Sequence, residues 1–133
     1  MRKILAIMLL TLTLALGLAA CGGESATGEG AAQAVESYLT ALVNKDSDKL
    51  MSLSCADFEA DATLELDAFQ AVEAALKDAS CVEAGTEGDA TLVACTGAIV
   101  ATYGSEDQEL DLSGRVYKVV QEGGDWLVCG YAK

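Results

Sequence analysis

The chain has 133 residues, with 21 acidic against 8 basic side chains, a formal net charge of −13, and neither histidine nor proline. Such a surface repels nucleic acid and anionic lipid headgroups, and it contains no basic patch for either. Without histidine the chain lacks the usual neutral-pH base and the commonest zinc ligand. No nucleic-acid partner, metal or cofactor is expected.

The N-terminus reads as a targeting segment. Arg2 and Lys3 precede an uncharged run, Ile4 to Leu18, that is too short and too abruptly ended for a spanning helix. It closes on Leu18-Ala19-Ala20-Cys21, which resembles the lipobox of bacterial lipoproteins. The resemblance implies a signal peptide over residues 1–20 and a diacylated, palmitate-bearing Cys21 as the first mature residue. It places the protein on the extracytoplasmic side of the cell membrane, held by its lipid anchor. Each buried methylene contributes ~0.8 kcal/mol, so two acyl chains retain what one would release. Gly22 to Gly30 lacks large apolar groups and reads as a flexible tether with a reach of roughly 15–18 Å. Ala31 to Lys133 then forms a single domain.

The first half of that domain predicts helices. Val35, Tyr38, Leu39, Leu42 and Val43 recur at i, i+3, i+4, i+7 and i+8, an amphipathic stripe facing a core. Asn44-Lys45-Asp46 ends it, and Asp46 or Ser47 can cap a short second helix carrying Leu50, Met51 and Leu53. Ser54 to Asp61 is ambiguous. A third helix is expected from about Thr63 to Lys77, with Leu66, Phe69, Val72 and Leu76 on one side.

Beyond Asp78 the apolar period becomes two. Strands are expected at about Ser80–Thr86, Ala90–Tyr103, Gln108–Gln121 and Asp125–Tyr131, separated by turn residues of the hairpin kind, and consecutive hairpins make a meander. A four-residue loop at Gly104–Asp107 pairs Tyr103 with Gln108, Ala101 with Leu110, Ile99 with Leu112 and Gly97 with Gly114, a glycine crease suited to a bent sheet. The Gly123-Gly124 turn pairs Val120 with Leu127 and Val116 with Tyr131. One face then collects Val93, Cys95, Ile99, Ala101, Leu110, Leu112, Val116, Val120, Leu127, Cys129 and Tyr131. Thr96, Thr102, Glu109, Asp111, Ser113 and Arg115 take the other. Lys118 alone breaks the apolar face, unless a bulge between Arg115 and Lys118 turns it outward.

With Cys21 acylated, four cysteines remain, and an exported chain with an even count is a disulfide candidate. Cys95 and Cys129 lie on strands separated by a whole strand, roughly 9–10 Å, and Cys81 is farther still from Cys129. Bridgeable Cα atoms lie within about 7 Å, which leaves Cys81–Cys95 and Cys55–Cys129. The second bridge ties the helical half to the last strand.

The helix with Val35-Glu36-Ser37-Tyr38-Leu39-Thr40-Ala41-Leu42, the polar turn Asn44-Lys45-Asp46, the short helix with Leu50-Met51-Ser52-Leu53, a further helix and a bent four-stranded meander resemble the cystatin-like architecture. More narrowly, the chain is similar to the nuclear transport factor 2-like superfamily and its small bacterial lipoprotein members. The resemblance covers nearly all of Ala31 to Lys133. It implies an α+β cone, N-terminal helices packed on the sheet, whose open end can hold a small apolar molecule. It also implies a range of roles: ketosteroid isomerases, dehydratases, non-catalytic binding modules and protein-interaction domains all belong to that superfamily.

Tyr38, Phe58, Phe69, Tyr103, Trp126 and Tyr131 are the large side chains able to line such a cone, with Phe58 and Tyr131 at its mouth. The candidate pocket is Tyr38, Phe58, Phe69, Lys118 and Tyr131. An isomerase-like site would need a buried carboxylate facing a donor, for which Asp57 or Asp67 with Tyr38 or Tyr131 are the options, at a spacing that specifies nothing. No catalytic residue is assigned. The expected function is a membrane-anchored cell-envelope lipoprotein that binds or interacts without catalysing, its partner a small apolar ligand or an envelope protein. An interaction module would instead have a filled core and an outer apolar patch of Tyr117, Val119, Trp126 and Val128.

Overall fold

The computed structural model describes residues 29–133. The expected signal segment and the expected acylation of Cys21 lie outside the described residues. Helix α1 (Glu29–Val43) begins inside the expected tether, taking Glu29 and Gly30 into the first turn. Helices α2 (Ser47–Ser52) and α3 (Glu59–Phe69) follow, joined by a single 3-10 turn at Ala56–Phe58. Five strands complete the domain: β1 (Glu73–Glu87), β2 (Ala90–Tyr103), β3 (Glu106–Asp111), β4 (Val116–Glu122) and β5 (Asp125–Tyr131). They form one open antiparallel sheet in the order β1-β2-β4-β5, with β3 paired to β2. The fold is α+β, helices packed on an antiparallel meander.

The stripe on α1 packs as its spacing requires. Val35 and Tyr38 are fully buried, and Leu39, Leu42 and Val43 nearly so, against strands β1, β2, β4 and β5. Burying each such aliphatic side chain contributes about 1.5–3 kcal/mol relative to leaving it exposed. Asp46 caps α2, its carboxylate accepting from the Lys49 amide at 3.0 Å, and Leu50 is the buried residue of that short helix. The ambiguous stretch around Ser54 runs alongside β5. The Cys55 amide donates to Val128 at 2.8 Å and the Val128 amide to Leu53 at 2.7 Å, next to the Cys55–Cys129 bridge. The Cys81–Cys95 bridge joins residues directly opposite on β1 and β2. Both expected pairs therefore form, with Cα separations of 4.9 and 4.1 Å.

The third helix is shorter than expected. It stops at Phe69, and the chain is extended from Glu73, so Leu76 is a strand residue opposite Ile99 and Val72 lies in the turn between. Ala74-Ala75-Leu76-Lys77 favours helix by intrinsic propensity. Pairing along β2 overrides it, since Glu73 to Lys77 complete the ladder opposite Ala98 to Thr102.

The third expected strand breaks in two, and three register changes follow. The β2–β3 turn is two residues long, not four, so Tyr103 pairs with Glu106 and Ile99 with Leu110. This shift of two preserves the face of each β3 residue but leaves Gly97 opposite Leu112, whose amide donates to it at 3.0 Å, and not opposite Gly114. Gly97 is nonetheless the crease: it adopts φ +88°, and a Cβ there would meet the Asp78 carbonyl of the β1 bulge at 2.4 Å. Next, residues 112–115 face only 95–97 on β2, because Asp111 accepts from both the amide and the hydroxyl of Ser113 and the chain turns from Leu112 to Arg115. One extra residue inverts every side chain that follows. Tyr117 and Val119 therefore point inward, fully buried, whereas Val116, Lys118 and Val120 take the outer face. Finally a bulge at Cys129 sets Tyr117, not Val116, opposite Tyr131, while Val120 does pair with Leu127.

These inversions correct the expected faces. Leu110 is 41% exposed at the sheet margin, and Val116, Val120 and Leu127 leave the inner face. The proposed outer patch does not exist, because Tyr117, Val119 and Val128 are core and Trp126 packs over Gly30 of α1. Among the described residues, no helix is long and apolar enough to cross a membrane.

Candidate functional site

Five side chains meet where α1, α3 and the ends of β4 and β5 converge. Tyr38 on α1 lies 6.2 Å from Phe58 and 6.4 Å from Tyr117, ring centre to ring centre. Tyr131 lies 5.8 Å from Phe58, edge to face, and 5.1 Å from Tyr117. Into this aromatic cluster α3 projects Glu65, from the same face that buries Ala62, Leu66 and Phe69. Tyr38 Oη donates to Glu65 Oε2 at 2.9 Å, and Tyr131 Oη donates to Glu65 Oε1. Each carboxylate oxygen thus holds one phenol. Hydrogen bonds to a charged acceptor are worth about 1.5–3 kcal/mol, enough to offset placing a carboxylate beside four aromatic rings.

The tyrosines are held protonated. Burial first, then the charge and hydrogen bond of Glu65, raise the Tyr38 hydroxyl well above its ordinary 10.0. Tyr131 is raised likewise by burial, by its hydrogen bond to Glu65 and by that carboxylate's charge. Burial also raises Tyr117, against the opposing pull of Arg115. The Tyr117 hydroxyl is buried facing the Arg115 guanidinium and the Tyr131 hydroxyl. Arg115, delivered by the turn after β3, sits over the Tyr131 ring with its guanidinium carbon 5.4 Å from the centroid, and Nη1 is 3.5 Å from the Tyr131 hydroxyl.

Glu65 and Arg115 of this network also line a cleft of about 250 Å³. Leu42 of α1, Ala68 and Phe69 of α3, Ile99 and Tyr103 of β2, and Leu110 and Leu112 line it, with Glu65, Asp111 and Arg115 as the polar members. The cleft exists because α3 ends at Phe69 and β3 has no neighbour on its far side, so nothing roofs Leu110 and Tyr103, which stay 41% and 47% exposed.

Of the expected pocket residues, Tyr38, Phe58 and Tyr131 come together in the aromatic cluster, and Phe69 lines the adjoining cleft. Lys118 does not join them. It stands on the opposite face, its ammonium 2.6 Å from Glu87 of β1. Trp126 is also apart, against the start of α1. Asp57 and Asp67 are both exposed. Glu65, Arg115 and Tyr117 were missed. Glu65 was readable: a glutamate three residues after Ala62 and one before Leu66 occupies the inward stripe of α3. Arg115 and Tyr117 were hidden by the parity change at Ser113. Compared with protein-family models, with curated proteins and with solved structures, the chain shows no significant match to any of them.

Proposed function

We propose that this protein is a lipid-anchored, extracytoplasmic binding module that holds a small, largely apolar molecule in the α3–β3 cleft without transforming it. The lipobox-like Leu18-Ala19-Ala20-Cys21 supports the anchor and hence the cell-membrane location. The observation that carries the binding reading is the cleft: apolar walls from four elements with three polar side chains, Glu65, Asp111 and Arg115. Concave apolar surface with a few convergent polar groups is the usual form of a small-molecule site. Its volume falls below the ~300–1,000 Å³ of sites for drug-sized ligands, so the occupant is small.

The occupied state of Glu65 favours binding over catalysis. A general base needs a lone pair directed at the substrate. Both oxygens of Glu65 already accept from tyrosines whose hydroxyls resist ionisation. Two phenols therefore already share the charge that a base would need to concentrate on a substrate proton.

The test is a titration of the full chain in phospholipid nanodiscs with 1-hexanol, following the methyl resonances of Leu42, Ile99, Leu110 and Leu112. Saturable shifts confined to these methyls are expected, and Ala68→Trp, a change at an exposed position on the cleft wall, should abolish them. Shifts that never saturate, or that survive Ala68→Trp, would overturn the reading.

A further inference from the structure

We infer that the cleft is selective for a small monocarboxylate, its apolar body lying on Ile99 and Leu110 and its carboxylate on the Arg115 guanidinium. The inference rests on the binding reading above and adds the chemical class of the ligand.

Arg115 is the cationic member of the cleft lining, beside the carboxylates of Glu65 and Asp111. Glu65 accepts one phenol on each oxygen. Asp111, at the rim, accepts twice from Ser113, whose hydroxyl and amide also hold its carboxyl below the ordinary carboxylate range. On the donor side stands the exposed guanidinium of Arg115, which approaches the Tyr131 hydroxyl at 3.5 Å and also meets the Tyr117 hydroxyl. Lys77 and Lys118 each pair with a glutamate away from the cleft, and Arg115 is the cation on its lining. A planar carboxylate matches the guanidinium fork with two parallel hydrogen bonds.

An amine or alcohol fits less well. An ammonium would face the like charge of Arg115, and an alcohol offers one weak acceptor to a fork of donors. The acidic surface opposes an anion only at long range, since charges more than ~8 Å away are largely screened at physiological ionic strength. Glu65 and Asp111 are the close opposing charges; the two phenols on Glu65 and the Ser113 hydroxyl and amide on Asp111 spread them over hydrogen bonds.

The experiment extends the same titration to three probes with identical tails: hexanoate, 1-hexanol and hexylammonium. Hexanoate is expected to bind at least about tenfold more tightly than hexanol, the difference of one charge-assisted contact, with hexylammonium weakest. Arg115→Gln should reduce hexanoate to the affinity of hexanol while leaving hexanol unchanged. Lys118→Gln, which removes a cation on the opposite face, should alter none of them. Equal affinity for hexanoate and hexanol in the unmodified chain would overturn the inference while leaving the apolar cleft as a site, and that comparison needs no variant to fold. A hexanoate preference that survives Arg115→Gln would overturn it equally. Absence of saturable shifts with every probe would remove the binding reading as well.

Discussion

Strands β3 and β4 lie along the same edge of β2, yet they are buried to opposite extents. β4 has β5 beyond it and α1 across its inner face, and its inward residues Tyr117 and Val119 are fully buried. β3 has no strand beyond it, and all six of its residues are exposed. The two segments are comparable in length and pair with the same strand, but their sequences differ: β3 is Glu-Asp-Gln-Glu-Leu-Asp, whereas β4 carries Val116, Tyr117, Val119 and Val120. Coverage follows that difference. A strand residue is buried only when a neighbour closes its edge and a helix closes its face. Where α3 stops short and β3 has nothing beyond it, apolar side chains line a cleft instead of a core.

Truncating the covered half should have the largest effect. Leu39→Ala, beneath α1, is expected to cost about 2–5 kcal/mol, because the rigid packing around it leaves a cavity, as read from a shift in denaturant midpoint. Replacing both Cys55 and Cys129 by serine should cost a similar ~2–5 kcal/mol by freeing the long loop that ties α2 to β5. A loss well under 1 kcal/mol would mean that the backbone bonds between Leu53–Cys55 and Val128 hold that junction alone.

Glu65→Leu tests the boundary between the two halves. It strands the hydroxyls of Tyr38 and Tyr131, and each unsatisfied buried donor costs about 1–3 kcal/mol. Adding Tyr38→Phe to Glu65→Leu should recover part of that loss, a non-additivity visible in a double-mutant cycle.

Alkaline pH probes the same network. The folded pKa values of Tyr38, Tyr117 and Tyr131 are raised, chiefly by burial, so the folded state keeps its phenol protons where the unfolded chain releases them. Their contribution is fully present below the ordinary value of 10.0 and is lost as pH rises above it. The melting temperature should fall steeply on that side, with phenolate absorbance appearing together with unfolding. Phenolate absorbance from these residues in the still-folded protein would contradict their burial. At the uncovered end, Leu110→Ala should change stability by no more than about 0.5 kcal/mol, while weakening hexanol binding. If it destabilises as much as Leu39→Ala, the cleft is core.

The parts legible in the sequence are those set by local period or by distance along the chain. The α1 stripe repeats cleanly enough to name Val35, Tyr38, Leu39, Leu42 and Val43 as core, and all five are buried. The cysteine pairing followed from strand spacing alone and survived a two-residue error in the neighbouring hairpin, because Cys81 and Cys95 face each other across a different pair of strands. The inner face of β4 was misread for an equally physical reason. Val116-Tyr117-Lys118-Val119-Val120 is apolar on both faces apart from Lys118, so alternation could not say which side is inside, and that lysine was the only sign of the inversion.

Composition and pattern by themselves determined an acidic chain, helices before a meander, and two specific bridges. Tertiary structure decided where α3 ends, which face of β4 is inside, and that Glu65, Arg115 and three tyrosines share one site. Those choices depend on single-residue register, which a turn at Ser113 or a bulge at Cys129 changes without altering the local apolar pattern. Only the packing of α1 and α3 against the finished sheet makes one of the two parities lower in free energy.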